Sequence, residues 1–355
     1  MAPTPGRRRP DVLRRVAVTG TGSFLGSRVL RTLARAHGND AVLAVDVAPP
    51  SATLPGVGFR MLDLTQAGAD QRLLDALREE NVTRLFHFAF FTNPQRDRAY
   101  AHELESIGTL NVLAAAAAAK VEHVVMRSFT AVYGAHGKNP NFLPEQRALV
   151  GGSRLAWLAD KVEAEAHAAH FLNRYPDLNV TVLRFAPLFG PAVRNFYTAV
   201  FDKRVVPVLM GFDPLVQLLH PDDAMRAIEQ AAQHRPRGAV NVVPARSIPL
   251  LSALHLAEKV PVPIPHPLAY AATDALWGAG LAEAPSGFLD YVRYLFVADG
   301  QRAAREMDFV AGYSSREALL AYLRQRHPEA DGVDSVRALD AREEGPSKRS
   351  AGARS

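Results

Sequence analysis

The segment Thr19-Gly-Thr-Gly-Ser-Phe-Leu-Gly26 constrains this chain more than any other part of its sequence. It lies between a short β-branched run, Val16 to Thr19, and a stretch with apolar residues at Leu25, Val29, Leu30, Leu33 and Ala34. That order predicts a buried strand, a sharp turn and a helix packed on one face. Glycines in such a turn let the backbone approach a pyrophosphate, and the helix start offers free N–H groups and a positive dipole end. The positions expected to cradle a dinucleotide are Gly20, Gly22, Ser23, Phe24, Leu25 and Gly26.

Asp46 closes a second apolar run, Ala41 to Val45, twenty residues beyond Gly26. A carboxylate at that place accepts hydrogen bonds from the adenosine ribose and repels a 2′-phosphate. Val47, Ala48 and Pro49 follow, with no arginine to receive such a phosphate. The expected cofactor is NAD rather than NADP.

Further strands are expected at 59–62, 84–88, 121–126 and 180–185, with helices at 71–80, 100–120 and 153–174. Strand and helix alternating at this spacing predict an α/β fold, a Rossmann-type doubly wound parallel sheet, over residues 15–185. Beyond 186 the pattern loosens, and Pro261, Pro263, Pro265 and Pro267 alternate in an extended segment before helices near 268–281 and 315–326. Residues 186–327 are read as a smaller C-terminal substrate lobe. Residues 1–14 form a basic tail and 328–355 a polar one, both expected to be disordered.

Composition narrows the function classes. Without cysteine, disulfides, thiolate nucleophiles and cysteine-bound metals are excluded. The net charge of +5 sits largely in the two tails, and no basic stretch is interleaved with aromatics, so nucleic acid is not an expected partner. The first fifteen residues carry charge but no apolar stretch, so they do not read as a signal peptide. A membrane span needs roughly 20 apolar residues in a row and none is found, so a soluble cytoplasmic protein is expected. No metal is expected either: His167 and His170, with Glu163 and Glu165, read as one side of an exposed helix.

Taken together, the motifs resemble those of the extended short-chain dehydrogenase/reductases, specifically the NAD-dependent epimerase/dehydratase family. In that family's opening, Thr-Gly-x-x-Gly-x-x-Gly, Gly20 and Gly26 match the outer glycines, Ser23 replaces the middle one and Gly22 is an extra neighbour. Asp63-Leu64 resembles the acidic pair that meets the adenine, and His87-Phe-Ala-Phe90 stands where a segment containing Phe88 and Ala89 would lie beneath the cofactor. Gly108-Thr-Leu-Asn-Val112 resembles a helix motif whose asparagine braces the central strands. Val132-Tyr-Gly134, Leu183-Arg184, Gly190-Pro191 and His220-Pro-Asp-Asp223 follow in the family's order, so the resemblance spans about 15–325. It also implies dimerisation through the helices near 100–120 and 153–174.

The resemblance implies a Ser/Thr–Tyr–Lys catalytic arrangement, and here the sequence departs from it. In Ala156-Trp-Leu-Ala-Asp-Lys161 the tyrosine position holds Trp157, whose indole N–H donates only and cannot act as a base. None of the nine tyrosines is followed by lysine four residues later. The usual hydroxyl position falls on Phe129, between Ser128 and Thr130. Lys161 is left as the expected contact to the nicotinamide ribose, with Ser128 as the tentative hydroxyl; Tyr133 and His136 are weaker substitutes.

On the substrate side, Pro187 takes the place of a substrate-binding asparagine and Val216 that of a phosphate-binding arginine. Arg184 and Arg194 remain as anion contacts, though Arg184 also suits a bracing role. A diphosphate needs cationic or amide partners, so the expected substrate is a small molecule less polar than a nucleotide sugar. The two functional expectations are an NAD-dependent epimerase/dehydratase-type oxidoreductase with atypical acid–base residues and, as the alternative, a catalytically inactive NAD-binding sensor or scaffold.

Overall fold

The computed structural model describes residues 15–38, 41–50, 54–153, 155–282 and 284–326. The two tails read from the sequence, 1–14 and 328–355, lie outside these residues.

The glycine turn is framed as expected. Strand β1 (Arg15–Thr19) is buried along four of its five residues and leads through the turn into helix α1 (Phe24–His37), which buries Leu25, Val29, Leu30 and Ala34 against the sheet. β2 (Val42–Asp46), β3 (Gly58–Met61), β4 (Val82–His87), β5 (His123–Phe129), β6 (Asn179–Phe185) and β9 (Gly238–Val242) complete a sheet in the order β3-β2-β1-β4-β5-β6-β9. All pairings are parallel. The strand order reverses between β1 and β4, and the crevice beyond their carboxyl ends is where such sheets bind ligands.

Helices cover both faces, which is why the central strands are apolar throughout. α1 and α7 (Pro221–His234) pack on one side, α2 (Ala69–Glu79), α4 (Gly108–Ala118) and α5 (Ala156–Arg174) on the other. The seventh strand, β9, comes from beyond residue 185 and was not foreseen, because polar Asn241 interrupts its short apolar run.

The helix expected over 100–120 is broken. α3 (Arg98–His102) passes into a π turn at Glu103–Ile107, and only then does α4 begin. This wide turn buries both Glu105 and Ser106. Of the alternating prolines only Pro261 and Pro263 fall in an extended strand, β11 (Val260–Ile264), which pairs in parallel with β7 (Val205–Leu209) in a separate two-stranded sheet, while Pro265 and Pro267 begin the next helix, where a missing N–H costs nothing. Pro261 and Pro263 lack the N–H that an inner strand would have to donate, and a two-stranded edge tolerates that. α9 (His266–Gly278) and α11 (Ser315–Arg326) match the expected late helices to within a few residues. No helix among the described residues is long and apolar enough to cross a membrane.

Candidate active site

The turn after β1 is built by the backbone. Gly20 has φ +74°, and a Cβ there would lie 2.4 Å from the Ala89 nitrogen, so only glycine lets this turn press against the segment after β4. A Cβ on Gly26 would lie 2.1 Å from the Gly20 carbonyl, which requires glycine where α1 meets the turn. Gly22 is different: its added Cβ would meet only an Asp46 oxygen at 3.5 Å, leaving that side open. Ser23 is consumed locally, donating to the Gly20 carbonyl at 2.8 Å and accepting from Gly26 N–H at 3.1 Å as the N-cap of α1. No acidic residue occupies the first turn of α1, so its dipole end is uncompensated.

Asp46 stands beside this turn. Its carboxylate accepts from Gly22 N–H at 2.8 Å and from Val47 N–H at 2.7 Å. Asp63 accepts from the Thr65 backbone and hydroxyl at 2.9 and 2.8 Å, and Leu64 is buried beside it. Asn111 donates to the Leu64 carbonyl at 3.2 Å, so the helix asparagine ties α4 to this acidic segment. Tyr100 lies near both carboxylates: partial burial, then the charges of Asp63 and Asp46, raise its hydroxyl pKa. Phe88 is fully buried, so at this place the chain offers a ligand backbone rather than the phenyl ring. His87 sits within hydrogen-bond distance of Thr19 and Thr109 hydroxyls, and burial pushes its pKa down to about 3. It is a neutral structural group.

The glycine turn, the free dipole end and Asp46 therefore fit a dinucleotide. The far end of the cleft carries different chemistry. Lys161 is not directed into open space: its Nζ donates to both Glu105 oxygens at 2.7 and 2.6 Å, and neither side chain has exposed surface. Burial pushes Lys161 down to about 8, against the attraction of Glu105, and burial likewise raises Glu105. Trp157 covers the pair, with its ring centroid 4.0 Å from Nζ, and Phe129 packs on Trp157 at 5.5 Å.

The two hydroxyls flanking Phe129 have separate fates. Ser128 donates to Glu165 at 2.5 Å, inside a buried network in which Arg184 also binds Glu165. Thr130 lines a narrow cavity together with Arg127, Phe129, Trp157, Pro187 and Tyr197. Tyr133 belongs to the buried network, donating to Asn241 at 2.8 Å and accepting from Arg184 at 2.7 Å, and burial raises it to about 12. Arg184 thus braces the sheet, while Arg194 is exposed. His136 lies in a loop at a second cavity with Tyr291 and Tyr294. His220 caps α7, and the carboxylate of Asp223 receives the backbone N–H groups of Gly312 and Tyr313.

The histidine–glutamate grouping read along α5 splits in the structure. Glu165 turns inward to Arg184, whereas Glu163 and Asp160 face His102 from α3, their ligand atoms all within 4.8 Å of one another. Arg127, Glu105 and Tyr197 were missed by sequence reasoning. A charged residue at the end of the apolar run Val124–Met126 was the available signal for Arg127; nothing local marks Glu105 or Tyr197.

The description of the NAD-dependent epimerase/dehydratase family matches residues 16–243, from β1 to just past β9. The chain belongs to that family. It is 29% identical over 324 residues to the uncharacterized protein Rv0501 of Mycobacterium tuberculosis, covering 89% of this chain and 85% of that one. The uncharacterized protein Mb0513 of Mycobacterium bovis is similar to the same extent. Among solved structures, MoeE5 in complex with UDP-glucuronic acid and NAD superposes with a TM-score of 0.68 at 22% identity, over 88% of this chain and 99% of that one. UDP-glucose 4-epimerase from Thermotoga maritima gives 0.68 at 18% identity, over 88% and 99%. At these identities the likeness establishes the fold.

Proposed function

We propose that this family member is an NAD-dependent oxidoreductase of epimerase/dehydratase type that acts in the cytoplasm on a small molecule less polar than a nucleotide sugar. Its acid–base groups differ from a tyrosine–lysine pair. The observation that carries the reading is the glycine turn hydrogen-bonded to Asp46 at the strand-order reversal. Backbone of Gly20, Gly22, Ser23, Phe24, Leu25 and Gly26 would hold the pyrophosphate, Asp46 the adenosine ribose, and Asp63 and Leu64 the adenine edge. Phe88 and Ala89 would support it through their backbone. When bound, NAD supplies the hydride acceptor or donor.

The protein's own residues decide what surrounds that hydride. Lys161 is kept from the ribose by Glu105, so a ribose contact requires the pair to open. Ser128 is held by Glu165 and would need the same release. Structures such as MoeE5 contain a nucleotide sugar, but here Arg184 is committed to Glu165 and the Pro187 and Val216 positions offer no cation. This favours a less polar substrate. The four-helix contact of the family would use α4 and α5 in a homodimer.

One observation favours a second reading, an NAD-binding sensor or scaffold without turnover: Trp157 seals the one lysine of the motif beneath an indole. Denaturing purified protein and assaying released nicotinamide nucleotide, then titrating emptied protein with NAD, NADH and NADPH, tests both readings at their root. NAD binding that weakens about tenfold or more in Asp46→Ala supports the cradle. Failure to bind any dinucleotide would sink both. Hydride exchange from labelled NADH into a carbonyl substrate panel then separates enzyme from sensor.

A further inference from the structure

The cavity at the ends of β5 and β6 is lined by polar groups that have no partner. Arg127 is buried, and its Nε and Nη1 make no hydrogen bond among the described residues; only Nη2 is used, donating to the Thr92 hydroxyl at 3.2 Å. The Thr130 hydroxyl and the Tyr197 hydroxyl are buried and equally unpartnered, and so is the indole N–H of Trp157. All four residues line this one cavity, and the remaining wall is mostly apolar, with Phe129, Phe185, Pro187 and Leu188 beside the polar Thr92 and Asn195. Buried donors left unmet are costly, about 1–3 kcal/mol each and more for a charged group. Four around one small cavity indicate a ligand rather than an accident of packing.

Charge points the same way. Two cations, Arg127 and Lys161, are buried here beside one buried carboxylate, Glu105. Both Glu105 oxygens already bind Lys161, and one also receives Phe91 N–H at 2.7 Å. Asp160 acts on Lys161 from further off and is itself bonded to His102 at 2.8 Å. Burial lowers Arg127 to about 10, which leaves it protonated at neutral pH. Among the described residues Arg127 therefore has no carboxylate bonded to it, only the Phe129 ring 4.5 Å away and the field of Glu105, and a buried charge without a bonded counter-ion is costly.

We propose that this cavity, of about 20 Å³, is a carboxylate-binding subsite, with room for the carboxylate head group of the substrate between Arg127, Tyr197 and Thr130 and little else. The proposal deepens the oxidoreductase reading, and it rests on that reading only in calling the ligand a substrate. It makes Arg127 and Tyr197 specificity-determining residues. A guanidinium with two unused N–H groups matches a carboxylate's two oxygens, whereas an alcohol of the same carbon skeleton can satisfy neither the charge nor the second donor.

The test uses three probe pairs: acetate against ethanol, butyrate against butanol, and benzoate against benzyl alcohol. Binding is read by Trp157 emission in a Trp277→Phe background and by thermal shift of the full chain. Each carboxylate should bind at least about tenfold more tightly than its alcohol. Arg127→Met should abolish the carboxylate preference, and Tyr197→Phe, which keeps the ring, should weaken it several-fold. Equal binding of acids and alcohols, no carboxylate binding at all, or a preference that survives in Tyr197→Phe and Arg127→Met alike would overturn the proposal. NADH titration of the same samples reports the dinucleotide cradle independently, so loss of cofactor binding with carboxylate selectivity retained would remove the oxidoreductase reading and leave the subsite standing.

Discussion

Lys161 and Glu105 form a two-pronged ion pair with no exposed surface on either side chain, roofed by the indole of Trp157. Removing one partner strands the other charge in the core. Lys161→Met and Glu105→Gln should each destabilise the protein by about 3–5 kcal/mol, while the double variant should recover much of that loss. Denaturant unfolding of the three variants measures the coupling. Additive losses would mean that the pair is not a unit.

Acid sensitivity should come from two buried histidines. Burial depresses His87 and His123 from 6.5 to about 3. Between those values the unfolded chain binds protons at these positions that the folded chain does not, so stability falls as pH drops below 6.5 and is complete above it. At pH 5 each site should have lost about 2 kcal/mol. His87→Gln should reduce the slope of stability against pH by roughly half over that window, as followed by urea unfolding at successive pH values.

Gly20 and Gly22 should answer differently to the same added methyl. Gly20→Ala meets backbone at 2.4 Å in a left-handed conformation and should cost about 3 kcal/mol or more. Gly22→Ala meets only an Asp46 oxygen at 3.5 Å, so its melting temperature should stay close to wild type while NAD affinity drops. Thermal melts beside NAD calorimetry distinguish the two. A Gly22→Ala protein that binds NAD normally would show that the pyrophosphate does not pass this face.

Tyr133 is held on both sides, by Asn241 and Arg184. Tyr133→Phe should therefore lower stability by about 1–3 kcal/mol, because two buried partners lose their bond, and leave NAD affinity unchanged. If instead hydride exchange disappears while stability holds, Tyr133 is the missing acid.

The parallel sheet was legible because its strands are continuous apolar runs and its turn is written in glycine. Asp46 was legible for the same reason: its distance from Gly26 is fixed by one helix and one strand. β9 was not, since Asn241 sits in its middle to meet Tyr133 and two backbone carbonyls, Leu143 and Asp299, supplied from far along the chain. The replacement of the family's tyrosine by Trp157 could be read from spacing, but the fate of Lys161 could not. Its partner Glu105 lies 56 residues away and is turned inward by a break in helix geometry that no periodicity announces. Tyr197 reaches its cavity from α6 (Phe196–Phe201), through tertiary packing alone.

The π turn at Glu103–Ile107 holds about one residue more than a turn of the helices on either side of it. Removing one residue there would close it to an α turn and leave α4 facing nearly the same way, with Thr109 still against His87 and Asn111 against Leu64, whereas a deletion inside α4 would turn the residues beyond it by about 100°. What the shorter turn would lose is the inward placement of Glu105, so the extra residue and the buried partner of Lys161 stand or fall together.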